Sequence, residues 1–248
     1  MKTLIIRPGG IGDCILCFPA MESLRSDYTE VWVPSAVAPL VQFAERVQSI
    51  ASSGIDVVGL PGRAVPARLR EFDRIVSWYG ANRPEFRDAV AGLPFEFHQA
   101  LPPFDCPLHA TDFFLHQVQA IPKLGQAVSP ARSTTTIIHP FSGSPTKNWP
   151  LDNFRQVAGH LQDVQWLAGP EETLQGALQL DNLLNVAQLL ATSKRYIGND
   201  SGITHLAAFA GAPVIAIFGP SNPRIWAPRG EHVQVLVNPS VEDVLRLC

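Results

Sequence analysis

The chain has 248 residues, of which 46% are hydrophobic and 17% charged, a composition that predicts a substantial packed core and excludes global disorder. Its formal net charge is -3 and no basic run occurs, which argues against general binding to nucleic acid. Lys, Arg, Pro or Gly interrupts every apolar stretch before membrane-spanning length, and the N-terminal apolar run is too short for a signal peptide. We therefore expect a cytoplasmic protein of one large or two small domains.

The first half of the chain alternates short β-branched runs with longer amphipathic segments, the pattern of βαβ units around a parallel sheet. Strands are predicted at residues 3–7, 30–33, 55–58 and 73–77. Helices are predicted at residues 14–26, 39–47, 84–91 and 111–120. Residues 92–109 contain four prolines and are expected to be irregular.

Residues 122–133 break this alternation with Pro, Gly and polar residues, which is typical of a linker. The alternation then restarts with strands at residues 134–139, 164–168, 195–198 and 213–218. Helices are predicted between them at residues 152–161, 182–191 and 202–210. Two successive parallel-sheet halves predict an α/β protein of two Rossmann-like lobes facing each other, residues 1–125 and 134–248.

Ligands of such sheets bind beyond the carboxyl ends of the strands, and the first strand exit is rich in glycine. Gly9, Gly10 and Gly12 let a ligand approach the backbone at a helix start, which favours anionic groups. The G-G-x-G spacing is not the dinucleotide fingerprint. Asp13 follows directly, and the spacing leaves open whether it takes part in chemistry or only caps the helix, a contribution of about 1 kcal/mol.

The second strand exit, residues 139–150, combines small hydroxyl residues with a lysine. Ser142 and Gly143 offer donors to a phosphate, and Lys147 supplies a mobile positive charge. A solvent-exposed loop with an incidental lysine is the alternative interpretation.

The third strand exit, residues 198–205, places several polar residues at a junction between a strand and a helix. Asp200 and Ser201 stand where a helix cap belongs, and Gly202 opens backbone N–H groups toward a phosphate. His205 lies one turn into the helix, on the side that points back to this end. A cap alone would explain Asp200 or Ser201 but not the whole cluster.

Two further segments are open to both functional and structural interpretations. The fourth strand exit, residues 218–223, is a turn by composition and is either part of a site or a plain loop. Glu171 and Glu172 follow a strand, where they could hold the hydroxyls of a ribose or sugar, or could face solvent at a helix start.

Two sets of metal-ligating residue types favour ordinary structural roles. Cys14 and Cys17 have C-x-x-C spacing, but a second pair is missing, so two buried apolar residues are favoured over a redox or zinc site. His109, Asp112 and His116 could share one helical face as metal ligands do. Without a second cluster, we interpret them as surface residues.

Taken together, the four strand exits resemble glycosyltransferase family nine, the ADP-heptose:lipopolysaccharide heptosyltransferases. The resemblance rests on an I-G-D motif at residues 11–13, a K-x-W-P stretch at residues 147–150, and N-D-S-G-I-T-H at residues 199–205 followed by F-G-P-S-N-P at residues 218–223. Their order, spacing and placement after strands agree over nearly the whole chain.

This resemblance implies a GT-B-like fold, in which two Rossmann-like lobes with parallel sheets face each other across a cleft. The N-terminal lobe, with Gly9, Gly10 and Gly12, would take the acceptor, and the C-terminal lobe the nucleotide sugar. Transfer would invert the anomeric centre without a metal ion or other cofactor. Asp13 would be the general base that deprotonates the acceptor hydroxyl.

The resemblance also assigns the donor side. Ser142, Lys147 and the backbone around Gly143 and Gly202 would stabilise the departing diphosphate in place of a metal ion. Asp200 would hold donor-sugar hydroxyls or orient its loop, with Ser201 and His205 beside it, and Glu171 or Glu172 would hold the ribose. The implied partners are a nucleotide sugar, ADP-heptose first, and a glycan or lipid-linked glycan acceptor, with peripheral association with the inner membrane face left open.

The chain is shorter than typical family members, which puts the acceptor side most in question. A nucleotide-sugar 2-epimerase of the same fold is an alternative, although it would need further acids and histidines. A relative that binds nucleotide sugars without turnover is another, although Asp13 and Lys147 argue against it. The missing G-x-G-x-x-G disfavours a Rossmann oxidoreductase. The sugar, base, acceptor and oligomeric state stay undetermined.

Overall fold

The computed structural model describes residues 1–121 and 131–248 and divides the chain into two compact units. The first unit runs from Met1 to Cys106 and resumes at Ala110, and the second comprises Pro107–His109 and the C-terminal part of the chain. Most of the predicted linker, residues 122–130, lies outside the described residues. The predicted domain bounds of 1–125 and 134–248 therefore stay predictions.

The first unit is an α/β structure. Its strands are β1 (Lys2–Ile6), β2 (Tyr28–Val33), β3 (Arg46–Ser49), β4 (Arg74–Ser77) and β5 (Phe95–Phe97). Its helices are α1 (Ile11–Ser23), α2 (Ile50–Ser53), α3 (Pro84–Ala89) and α4 (Ala110–Gln117), with 3₁₀ turns at Ala38–Leu40, Ile55–Val57 and Ala67–Glu71. Short β-branched runs form the strands because their branched side chains pack well on a pleated surface.

The strands of the first unit form a parallel sheet in the order β3-β2-β1-β4-β5. Chain order reverses beside β1, since β2 lies on one side of it and β4 on the other. Apolar residues from this sheet and its flanking segments form one core, which includes Leu4, Trp32, Ile75 and Phe86. The loop after β1 therefore leaves the sheet at the position where α/β sheets open a crevice.

The second unit repeats this architecture. Its strands are β6 (Thr136–His139), β7 (Val164–Ala168), β8 (Leu178–Gln179), β9 (Arg195–Asn199), β10 (Val214–Phe218) and β11 (Val233–Val237). Its helices are α5 (Leu151–Gly159), α6 (Leu183–Thr192), α7 (Gly202–Phe209), α8 (Pro223–Trp226) and α9 (Val241–Leu245), with a 3₁₀ turn at Pro145–Lys147.

These strands form a second parallel sheet in the order β11-β10-β9-β6-β7-β8. Chain order reverses between β6 and β9, where His139 pairs with Gly198. The unit has its own core, which includes Ile138, Phe154, Ile197 and Ile215. Two separate cores and two parallel sheets agree with the predicted two-lobed α/β class.

The structure corrects several predicted elements. The helix predicted at residues 39–47 is wrong, because this segment holds a 3₁₀ turn and then enters β3, whose Val47 pairs with Val31. The strand predicted at residues 55–58 is a 3₁₀ turn. The segment 92–109, expected to be irregular, supplies β5. The strand β11 and the helix α9 are absent from the sequence prediction.

The first helix begins earlier than predicted. It starts at Ile11 rather than Cys14, so Asp13 lies in its first turn and not in the preceding loop. Cys14 and Cys17 are both fully buried on this helix, and burial raises the pKa of each thiol to about 12. This agrees with the interpretation of the pair as buried apolar residues rather than reactive thiols. Within the described residues, no helix is long and apolar enough to span a membrane.

Candidate functional site

The switch point of the second sheet brings two of the polar strand exits side by side. Because β6 and β9 are parallel neighbours, the loops after His139 and after Asn199 leave the same edge of the sheet. Ligands bind at such points because adjacent loops diverge there and leave a crevice. We therefore take this edge as the candidate site.

An ion pair joins these two loops. Lys147 Nζ donates to Asp200 Oδ2 at 2.7 Å, and the Asp200 side chain is 5% exposed while that of Lys147 is 37% exposed. The buried carboxylate holds the lysine, while the ammonium group still reaches solvent. The cluster predicted from the sequence is thus assembled, but Asp200 serves as the partner of Lys147 and not as a helix cap.

A buried asparagine fixes the loop that carries Lys147. Asn199, the last residue of β9, is fully buried. Its Oδ1 accepts from the Trp149 N–H at 2.9 Å, and its Nδ2 donates to the Pro140 carbonyl oxygen at 2.8 Å. The side chain therefore ties down both ends of the loop, as expected of a buried amide whose hydrogen bonds are satisfied.

Within this loop, Ser142 and Gly143 have different environments. The Ser142 hydroxyl donates toward the Ser144 carbonyl oxygen and Asn148 Oδ1, each at 2.7 Å, so it shapes the turn. Gly143 is exposed, and a Cβ built on it would meet no atom within 4 Å. The protein itself does not need a glycine there, which leaves close approach of a ligand as a reason for one.

The helix α7 begins at the same edge. Ser201 is its N-cap and accepts from the Thr204 N–H at 3.3 Å. Thr204 Oγ1 donates to the Asn199 carbonyl oxygen and accepts from the Tyr196 hydroxyl, whose pKa is raised by burial. The first residue, Gly202, therefore presents the positive end of the helix dipole at the switch point.

A second buried polar pair lies beside the first. His139 Nε2 is 2.9 Å from Glu172 Oε2, and the Gly169 N–H donates to the same oxygen at 2.6 Å. Burial alone would raise the pKa of Glu172, but these hydrogen bonds outweigh it and the pKa is lowered. Glu172 is therefore an ordered, ionised carboxylate, whereas Glu171 is exposed. His205 is buried on α7.

In the first unit, the glycine-rich exit of β1 shapes the start of α1. Gly9 has φ +118°, and a Cβ there would lie 3.0 Å from Asp13 Cβ, so only glycine suits this position. The Gly10 N–H donates to Asp13 Oδ2 at 2.9 Å. Asp13 therefore caps the helix, as the structural alternative predicted, through one of its two carboxylate oxygens.

A buried arginine supports the same turn. Arg7 is fully buried and donates from Nη2 to the Asp13 carbonyl oxygen at 2.9 Å and from Nη1 to the Ala100 carbonyl oxygen at 3.0 Å. Its guanidinium carbon lies 4.7 Å from the centroid of the Phe114 ring. This positive charge fixes the backbone of the residue predicted to be the base.

Sequence reasoning left three of these residues out of the site: Arg7, His139 and Asn199. A signal was present, because each is a polar residue at or just after the carboxyl end of an apolar strand. Such positions are buried by the sheet and still face its ligand-binding edge. Polarity at a strand end is therefore informative even without a motif.

Two other features lie apart from this edge. A cavity of about 540 Å³ opens at the amino ends of β9, β10 and β11, opposite the strand exits, so it is not the site that the fold predicts. In the described parts of the chain, no three His, Cys, Asp or Glu side chains converge as metal ligands would. His109 instead donates from Nε2 to the Ala227 carbonyl oxygen at 2.8 Å.

Comparison with known proteins adds to this geometry. The profile of glycosyltransferase family 9 (heptosyltransferase) matches residues 95–244, more than half of the chain. Lipopolysaccharide heptosyltransferase 2 of Escherichia coli K12 is 28% identical over 116 residues, which cover 37% of this chain and 32% of that protein. The matched region thus spans about a third of the relative's length.

Two solved structures resemble nearly the whole chain. The E. coli heptosyltransferase WaaC with ADP superposes with a TM-score of 0.69 at 16% identity, covering 100% of this chain and 98% of that one. The E. coli ADP-heptose lps heptosyltransferase II gives 0.71 at 17% identity, covering 99% and 97%. Likeness at this identity shows a common fold, so the predicted α/β class of GT-B type, with two parallel sheets, is confirmed.

Proposed function

The chain belongs to glycosyltransferase family 9, and from this we propose that it is an inverting, metal-independent glycosyltransferase of lipopolysaccharide-core or related glycan synthesis. The donor is heptose carried by ADP-heptose or a related nucleotide sugar. The second unit binds this donor, and the first unit supplies the base. The acceptor is a hydroxyl of the lipopolysaccharide core or of another glycan.

The observation that carries this proposal is the joined pair Lys147–Asp200 beside the N-terminus of α7. A diphosphate needs positive charge and N–H donors in one place, and a lysine next to a helix start provides both. Because the lysine ammonium is partly exposed, it can contact the diphosphate while Asp200 keeps it oriented. Backbone at the open Gly143 completes the cradle.

The transfer step follows from these roles. The acceptor hydroxyl attacks the anomeric carbon of the donor sugar from the face opposite the diphosphate, and Asp13 takes its proton. The bond between the anomeric carbon and the diphosphate oxygen breaks as the new glycosidic bond forms. Lys147 and the start of α7 stabilise the negative charge that develops on the departing nucleotide.

Asp13 can serve as base while it caps the helix, because the Gly10 N–H occupies only one carboxylate oxygen. A carboxylate has lone pairs on both oxygens, so the second can accept a proton or a hydrogen bond. The Arg7 contact to the Asp13 backbone holds this carboxylate in place.

The direct test is incubation with ADP-heptose and a lipopolysaccharide-core acceptor that ends in an unsubstituted sugar. We expect one heptose to be added per acceptor, with release of ADP, as measured by mass spectrometry and a coupled ADP assay. UDP-sugars in place of ADP-heptose serve as the donor control. Interconversion of a nucleotide sugar without transfer would point to the epimerase alternative and contradict the proposal.

A further inference from the structure

The pair formed by His139 and Glu172 has no part in the step described above. His139 is 2% exposed at the end of β6, and its Nε2 lies 2.9 Å from Glu172 Oε2. Because an ionised carboxylate only accepts hydrogen bonds, His139 donates from Nε2. Its Nδ1 is buried and has no hydrogen-bond partner among the described residues. The contact that the ring makes is therefore with Glu172.

Both donors that reach this carboxylate use the same oxygen. The Gly169 N–H and His139 Nε2 each donate to Oε2 of Glu172. No hydrogen bond to Oε1 occurs within the described part of the chain, and the side chain is 27% exposed. The carboxylate is thus fixed through one oxygen and keeps the other for a ligand.

The position of Glu172 narrows the chemistry of that ligand. It follows β7, the neighbour of β6, whose own exit loop carries Lys147. A carboxylate repels phosphate groups, so the part of a nucleotide that it contacts must be neutral and rich in donors. The ribose, which is joined directly to the diphosphate, offers two adjacent hydroxyl groups, and a single carboxylate oxygen can accept from both.

We propose that His139 is a positioning residue that orients Glu172 so that Oε1 binds the two ribose hydroxyls of the donor nucleotide. This inference rests on the proposed donor site. His139 itself makes no contact with the nucleotide. It acts by holding one oxygen of the carboxylate in a fixed place, so that recognition of the diol does not require ordering a mobile side chain.

The test compares ADP with 2′-deoxy-ADP by calorimetry on the full chain. Wild type should bind ADP about 10-fold or more tightly, since a hydrogen bond to a charged group is lost in the deoxy ligand. His139→Leu removes the donor but keeps a buried apolar side chain. It should bind ADP no better than 2′-deoxy-ADP, while its affinity for 2′-deoxy-ADP stays within about 2-fold of wild type.

His139→Gln is the matched control, because its amide N–H can replace Nε2–H and should restore the preference for ADP. A merely structural role for His139 would weaken both nucleotides equally in the Leu variant, and that result would overturn the proposal. So would a Leu variant that keeps the preference of wild type for ADP. Thermal unfolding of both variants checks that the fold is intact.

The two layers of this inference fail in different ways. If wild type bound both nucleotides equally, the diol contact would be absent, although the proposed diphosphate site would stand. If wild type bound neither nucleotide, the proposed donor site would fall and this inference with it.

Discussion

At the scale of single residues, Asp13 combines a helix-capping contact with the proposed role of general base. Asp13→Asn separates these roles, because an amide oxygen still accepts the Gly10 N–H but cannot take a proton from the acceptor. We expect the transfer rate to fall by about 10²–10⁴-fold, the usual contribution of a general base. Steady-state kinetics with the true acceptor measure this effect.

Stability and nucleotide binding provide the controls for Asp13. The Asn variant should unfold at the temperature of wild type and bind ADP equally well, since Asn caps helices about as effectively as Asp. Asp13→Ala should in addition lose about 0.5–2 kcal/mol of stability, because the cap is removed. A fully active Asn variant would contradict the assignment of the base and leave only the cap.

Lys147 is the second residue whose two roles can be separated. Lys147→Ala should weaken ADP binding by about 1.5–3 kcal/mol, the value of a charge-assisted hydrogen bond, as measured by calorimetry. It should also destabilise the fold, since it leaves the Asp200 carboxylate, 5% exposed, without its cation.

The double variant Lys147→Ala/Asp200→Asn distinguishes these two effects. Removing the charge at Asp200 should recover part of the lost stability, because no unpaired charge is then buried. The affinity for ADP should stay low. Recovery of ADP binding in the double variant would show that the lysine acts only through its ion pair.

At the scale of elements, β2 carries a fully buried acid. Glu30 lies in the first sheet with its side chain 0% exposed and accepts from Arg68 at 2.5 Å and from Trp32 Nε1 at 2.8 Å. Burial alone would raise the pKa of Glu30, but these hydrogen bonds outweigh it and the pKa is lowered. The acid therefore stabilises the folded chain in its ionised form.

The sign of the pH dependence follows from that direction. With its folded pKa below the ordinary value of 4.5, Glu30 contributes stability above pH 4.5, and this contribution is lost as the pH falls through the folded pKa. Glu30→Gln should cost about 1–3 kcal/mol at neutral pH, since Arg68 loses its charged partner. The difference from wild type should shrink below pH 4.5 in thermal unfolding.

A surface pair provides the comparison for Glu30. Asp152 and Arg155 form an ion pair at 2.9 Å, with side chains 81% and 59% exposed. Asp152→Asn should change stability little at either pH, because solvent screens such pairs. If Glu30→Gln were equally silent, the buried network in β2 would not stabilise the sheet.

Elements were predicted well where their residues need only local information. The strands at β4, β7 and β10 and the helix α6 match their predictions within one or two residues, because runs of apolar residues bounded by turn residues determine them. The segment 39–47 was predicted wrongly for the opposite reason. Its apolar spacing suits a helix, but pairing of β3 with β2 decides its structure.

At the scale of the whole molecule, the proposed donor site uses Lys147 and the start of α7 in place of a metal ion. We therefore expect ADP to bind with the same affinity in the presence of a divalent-metal chelator as in its absence. ADP should also raise the unfolding temperature, since a ligand that binds only the folded state stabilises it. Calorimetry and thermal unfolding measure these effects.

Magnesium added back after chelation is the control. An affinity that rises strongly with magnesium would contradict the metal-independent account, because the lysine and the helix would then not suffice for the diphosphate. Binding that is equally strong in both conditions would support it.

The sequence by itself determined the α/β class, the two successive sheets and the positions of the polar strand exits. These follow from local patterns: apolar runs form strands, glycines mark tight exits, and hydroxyl residues cap helices. The motifs around Asp13, Lys147 and Asp200 were readable for the same reason, since each is contiguous in the chain.

Tertiary structure alone decided which of these residues act together. Lys147 and Asp200 are far apart in the chain and meet because β6 and β9 are neighbours. His139 clamps Glu172 because β6 and β7 also pair. Strand order is set by how helices and sheets bury their apolar faces over long range, and this information is not contained in any short stretch of sequence.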